Sequence, residues 1–107
     1  MEHTVIHHIT NTKEHEVFKS KYPKSILFFG CTNCKACDDL YPLYYRIADR
    51  YKSKVKLAYI DVDQCGLDFT TVPFFVSLVN GKILDRMIGA TPNELRNFVG
   101  NCIQAKN

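Results

Sequence analysis

Apolar positions along this chain change period several times, and each change marks an element. Val5, Ile6 and Ile9 make a short, weak first strand. Asn11 or Thr12 can cap a helix through Glu14-His15-Glu16-Val17-Phe18, which Pro23 ends because the residue before proline avoids helical backbone. Ser25 to Gly30 is a short apolar run of the kind expected of a central strand buried on both faces. Leu40, Leu43, Tyr44, Ile47, Ala48 and Tyr51 then recur at i, i+3, i+4, i+7, i+8 and i+11, one stripe of a helix. Pro42 is tolerated there within a first turn, and kinks the helix if it begins at Cys34.

Val55 to Val62 reads as a strand ending at Asp63, and Cys65 to Phe69 leaves room for one helical turn at most. After Pro73, Phe74 to Val79 forms a third strand, and Asn80-Gly81 turns it into an antiparallel partner, Lys82 to Ile88. Thr91-Pro92-Asn93-Glu94 is a capping box with proline at the first helical position. The last helix buries Leu95, Phe98, Val99, Cys102 and Ile103. The order β-α-β-α-β-(short α)-β-β-α predicts an α/β fold, a mixed sheet with helices on both faces. With 107 residues and no repeat or linker, residues 1–107 are expected to form one domain.

Composition is ordinary for a globular protein, with Phe and Tyr but no Trp. The net charge of +3 comes from scattered Lys and Arg, which leaves no nucleic-acid footprint; the cluster Lys52 to Lys56 reads as a solvated loop. No segment approaches the roughly 18 apolar residues of a membrane span. Met1-Glu2-His3-Thr4-Val5-Ile6 lacks the basic and apolar regions of a signal peptide. Five cysteines, an odd number, do not suit a framework of structural disulfides, so a reducing, cytoplasmic setting is expected, and a monomer.

Cys31-Thr32-Asn33-Cys34-Lys35-Ala36-Cys37 carries the candidate chemistry, as two overlapping C-x-x-C pairs directly after an apolar strand. That spacing suits either a redox dithiol or a metal. A cysteine at a helix start meets free N–H groups and the positive helix end, which favour thiolate over thiol. A second cysteine one turn inward can attack a mixed disulfide and release the target. If the helix starts at Cys34, then Cys34 is the nucleophile, Cys37 the resolver, and Lys35 adds a favourable positive charge. Cys31, Cys34 and Cys37 also suit metal or iron–sulfur ligation. Yet no second C-x-x-C completes a zinc site, and His3, His7, His8 and His15 lie away in sequence. Cys102 reads as a core thiol, and Cys65 as either half-exposed or buried. Asp61 and Asp63 read as a solvated strand edge, and Tyr41, Tyr44, Tyr45 and Tyr51 as helical packing.

From Ser25 to Ile103 the chain resembles the thioredoxins. The resemblance rests on Phe28-Phe29-Gly30, then Cys34-Lys35-Ala36-Cys37, then Pro42 five residues after the second cysteine, a register that selects Cys34/Cys37 over Cys31/Cys34. Ile60-Asp61-Val62-Asp63, Val72-Pro73, Asn80-Gly81-Lys82 and Gly89-Ala90 match further family segments in order. The resemblance implies a thioredoxin fold and a thiol–disulfide oxidoreductase needing no cofactor beyond its disulfide. It implies a cis Pro73 facing the cysteines, and substrate contacts at Val72, Pro73, Asn33 and Gly89. Disulfide-containing proteins are the implied substrates, and thioredoxin reductase or another reductant the electron source.

The chain departs from the family at several positions. Asn33 replaces the usual Trp, and Lys35-Ala36 the usual Gly-Pro. Phe28 and Tyr59 stand where a buried acid and its lysine partner are expected, leaving water, Asp38 or Asp39 to take the Cys37 proton. Cys31 sits where a small residue is usual, as packing or as a modulating thiol. The segment between Asp63 and Pro73 is shorter than the family norm. These departures leave two rival readings: a metal or iron–sulfur module, and a redox-inert adaptor binding through Val72-Pro73.

Overall fold

The computed structural model describes residues 5–68 and 71–107. The chain runs β1 (Ile6–Ile9), α1 (Thr12–Lys21), β2 (Lys24–Gly30), α2 (Lys35–Arg50), β3 (Lys56–Asp61), β4 (Phe74–Val79), β5 (Lys82–Ile88) and α3 (Pro92–Gln104). The sheet order is β1-β3-β2-β4-β5, parallel from β1 through β3 to β2 and antiparallel from β2 through β4 to β5. This is the expected mixed sheet with helices on both faces.

The central place of β2 follows from its uninterrupted apolar run, which needs cover on both sides. Ile26 and Phe28 enter a core shared with α2 and α3, while Leu27 and Phe29 enter another shared with Phe18 of α1. Tyr44 fixes α2 to the sheet: it is fully buried, and its hydroxyl donates to the Ala58 carbonyl at 2.6 Å. Burial holds its ionisation well above the ordinary tyrosine value.

Local signals set the ends of these elements. The Asn11 side chain accepts the Glu14 N–H at 2.8 Å, and Thr91 and Glu94 form the reciprocal capping box. Asn80 (φ 53°) and Gly81 (φ 81°) both take the left-handed backbone that a two-residue hairpin needs. Pro42 lies well inside α2, beyond its first turn.

One sequence expectation changes. Among the described residues no helix forms between β3 and β4; the chain makes consecutive turns over 62–66 instead. The Asp61 carboxylate accepts the N–H groups of Asp63 (2.9 Å) and Gln64 (3.3 Å) as a helix cap does, but only the Cys65 N–H, donating to the Asp61 carbonyl at 3.1 Å, follows with a helical bond. Gly66, at φ 68°, then closes the turn. Phe69, the end of that expected helical turn, and His3, in the N-terminal segment read for targeting, lie outside the described residues.

Candidate active site

β2 delivers the chain to the carboxyl edge of the sheet, and residues 31–34 carry it into α2. Asn33 makes the reversal at φ 64°, a left-handed conformation that asparagine tolerates better than most side chains. Cys34 is the N-cap of α2 rather than its first helical residue, and its sulfur accepts the Cys37 N–H at 3.2 Å. Cys34 is half-buried and Cys37 is 1% exposed. The two are joined as a disulfide with Cα atoms 5.3 Å apart, and Cys31 stays free. Of the two overlapping pairs, the fold therefore closes Cys34/Cys37, with its outer sulfur at the positive end of a 16-residue helix.

The Val72–Pro73 peptide bond is cis. Val72, Cys34 and Ala90 pack against the same core that contains Cys37, which brings the two motifs to one end of the sheet. Gly89 ties the proline segment down: its N–H donates to the Pro73 carbonyl at 2.8 Å, and its φ of 66° suits glycine. Asn33 is exposed beside Cys34. Lys35 points outward, its side chain 89% exposed and its ammonium 3.4 Å from the Asp39 carboxylate. Its charge is therefore shared with Asp39 and largely screened by water.

Cys31 lies half-buried against the α1-side core. Burial first, then the carboxylates of Asp63, Asp61 and Asp38, raise its pKa and keep it a thiol. Its neighbour Thr32 is clamped: the hydroxyl donates to Asp61 at 3.0 Å and the N–H to Asp63 at 3.4 Å. Asp63 is exposed and Asp61 half-buried at this strand end, and beyond forming a solvated edge their carboxylates hold the loop that presents the cysteines. The D-x-D spacing at a strand end was the signal that could have shown it.

Phe28 and Tyr59 are directly opposed across β2 and β3, with rings edge-to-face at 5.0 Å. An aromatic pair thus fills the place of the expected charged one. Tyr59 is half-buried, and burial, then Asp61 and Asp38, push its pKa up to about 12. Tyr41, one turn beyond Cys37, stacks edge-on against Tyr59 at 5.6 Å and bonds His8 Nε2 at 2.7 Å. His8 therefore reaches the disulfide end of the molecule although it is remote in sequence. Cys65 is half-buried with its sulfur 3.5 Å from the Ile9 carbonyl, and Cys102 is fully buried. Burial raises both thiols. Among the described residues no group of three or more His, Cys, Asp or Glu side chains could hold a metal ion. No helix among them is long and apolar enough to cross a membrane.

A buried cysteine disulfide-linked to a half-buried one at a helix N-terminus, fed by a central strand, defines a thiol–disulfide oxidoreductase site. The thioredoxin family model matches residues 5–101. This chain belongs to the thioredoxin family. It is 35% identical over 72 residues to thioredoxin-like protein 1 of Schizosaccharomyces pombe, covering 62% of this chain and 25% of that protein. A thioredoxin of Chlorobaculum thiosulfatiphilum is 30% identical over 74 residues, with 63% of this chain and 67% of that protein covered. The oxidised mitochondrial thioredoxin 3 of Saccharomyces cerevisiae superposes with a TM-score of 0.80 at 25% identity, covering 92% of this chain and 96% of that one. The chain thus spans about a quarter of the Schizosaccharomyces pombe relative's length.

Proposed function

We propose that this chain reduces or exchanges disulfides in protein substrates, with Cys34 as the nucleophile and Cys37 as the resolving thiol. The Cys34 thiolate attacks one sulfur of a substrate disulfide, forming a mixed disulfide and expelling the first substrate thiolate. Cys37 then gives up its proton and attacks Cys34 Sγ. This closes the Cys34–Cys37 disulfide and frees the second substrate thiolate, so two electrons pass to the substrate. The observation that carries this reading is the position of Cys34 Sγ, which caps α2 against the Cys37 N–H while Cys37 waits buried behind it.

The other roles in this reading are as follows. The Val72 carbonyl and N–H pair with the extended backbone of a peptide-like target, Pro73 orients it, Gly89 holds that segment through the Pro73 carbonyl, and Asn33 borders the approach to Cys34. Lys35 contributes the weak field of a cation shared with Asp39. Cys31 modulates: held as a thiol among carboxylates, it competes poorly for Cys34 at neutral pH. Oxidation is reversed by thioredoxin reductase or another reductant, and no cofactor beyond the disulfide takes part. Residues 1–107 act as one domain and as a monomer. Three free cysteines beside a redox pair suit a reducing, cytoplasmic setting.

Turnover of insulin disulfides by the reduced protein tests the reading. Cys34→Ser should abolish turnover, and Cys37→Ser should accumulate the covalent intermediate. Absence of turnover together with absence of a Cys34 thiolate at neutral pH overturns it. A second reading, a redox-inert adaptor, draws support from Asn33 and Phe28 standing where the family has Trp and a buried acid. Partner capture that survives replacement of both cysteines by serine would favour it.

A further inference from the structure

On the face of the sheet opposite α1, a cleft of about 970 Å³ opens between the second half of α2 and α3. Leu43 and Ile47 from α2 and Val99 from α3 lie nearly buried on its floor, and the apolar surface open to a partner comes from half-buried Ile103 and Tyr51 and exposed Tyr45. The α3 wall is open at Gly100, where a Cβ would touch nothing within 4 Å. The rim is cationic. Arg46, Arg50, Lys54 and Arg96 line it, all exposed, and among the described residues none of them holds an ion pair. Asp49 is the one carboxylate in the lining, and it lies 3.7 Å from the Lys52 ammonium. Arg96 donates to Asn93 at 2.7 Å and Arg50 lies 5.7 Å over the Tyr51 ring, so four cations against one acid already paired leave the cleft electropositive.

We propose that this cleft docks an acidic amphipathic helix of a partner protein. The groove between two packed helices takes the ridge of a third, with apolar side chains at i, i+3, i+4 and i+7 entering the floor. Arg46 and Arg50 lie one turn apart, about 6 Å along α2, matching carboxylates one turn apart on the flank of such a helix. Their planar guanidinium groups can take those carboxylates bidentately. A second copy of this chain does not fit cleft to cleft, because the same cations would face each other. The floor begins at Leu43, about 9 Å along the helix from Cys37, so docking leaves the disulfide accessible. The site is therefore independent of the redox reading.

The test uses the full oxidised chain and a fluorescein-labelled peptide of about four helical turns, with leucines at the i, i+3, i+4, i+7 positions and glutamates between. Fluorescence anisotropy should show binding that weakens as salt rises. Binding should fall at least about tenfold in R46E/R50E and stay unchanged in Cys34→Ser. Arg46 and Arg50 are exposed, so R46E/R50E should keep the parent circular dichroism spectrum and insulin-reduction rate. Four results each overturn the proposal: no peptide binding; equal binding by R46E/R50E; equal binding of a lysine-for-glutamate peptide or of a single-stranded oligonucleotide; or a dimer in sedimentation that R46E/R50E dissolves.

Discussion

Tyr59 occupies the space in which residue 30 would carry a side chain: a Cβ built on Gly30 would lie 2.9 Å from both Cε1 and Cζ of the Tyr59 ring. The ring has little freedom to withdraw, because Phe28, Tyr41 and His8 hold it at centroid distances of 5.0, 5.6 and 6.0 Å. Glycine is therefore needed at the end of β2 for close approach, and the loop bearing the cysteines starts from that contact.

Gly30→Ala should destabilise the protein by roughly 1–3 kcal/mol, the usual range for overpacking. Thermal unfolding of the parent and variant measures it, with a midpoint drop of several degrees expected. Tyr59→Ala in the same chain should relieve the clash, so the double variant should lose less than the two single losses added together. Strict additivity would show that the Tyr59 ring moves aside freely.

Phe28 is fully buried beside Tyr59, so Phe28→Asp places a carboxyl group in an apolar core with no cation to meet it. A loss of about 3–5 kcal/mol is expected. Adding Tyr59→Lys supplies the missing charge directly across the strands and should recover at least about 1 kcal/mol by urea unfolding. No recovery would mean that this core accepts only the aromatic pair.

Cys31 should react with a thiol alkylating reagent at a rate that rises only in alkaline buffer, since burial and the Asp63, Asp61 and Asp38 carboxylates keep it protonated. Asp63→Asn removes a nearby negative charge and should move the rate profile of Cys31 toward lower pH. Mass spectrometry of the alkylated Cys31 peptide across a pH series reads this out. An unmoved profile would show that Asp63 does not hold the Cys31 thiol protonated, leaving burial, Asp61 and Asp38 as its causes.

His15 packs edge-on against Phe29 at 5.9 Å with Nε2 buried and without a hydrogen-bond partner, and burial, aided by Lys19, lowers its pKa. The unfolded chain, with the ordinary histidine value of 6.5, then binds more protons than the folded one. The stability that His15 contributes is present above pH 6.5 and lost as pH falls through that value toward the depressed folded one. His15→Phe should flatten this part of the acid limb in a series of thermal melts. His7, also lowered by burial and by Lys56 and Lys21, keeps a residual slope.

The sequence alone determined the order and ends of most elements, because periodicity, caps and turns act over a few residues. Asn11, Thr91, Asn80-Gly81 and the apolar runs each carry their own physical signal. It also pointed to the working pair, through the resemblance of the Cys34, Cys37 and Pro42 register to the thioredoxin family's. Tertiary structure decided what surrounds that pair. The Thr32–Asp61, His8–Tyr41 and Gly30–Tyr59 contacts each join residues some thirty positions apart. Strand order brings those residues together, and no local pattern encodes it. The turns at 62–66 lay between these cases, since the Asp61 side chain caps the start of the segment and Gly66, at φ 68°, ends it before a second helical turn can form. The cleft of Arg46, Arg50 and Arg96 likewise depends on the way α2 and α3 sit on the sheet, because their charges converge only after both helices bury their apolar stripes.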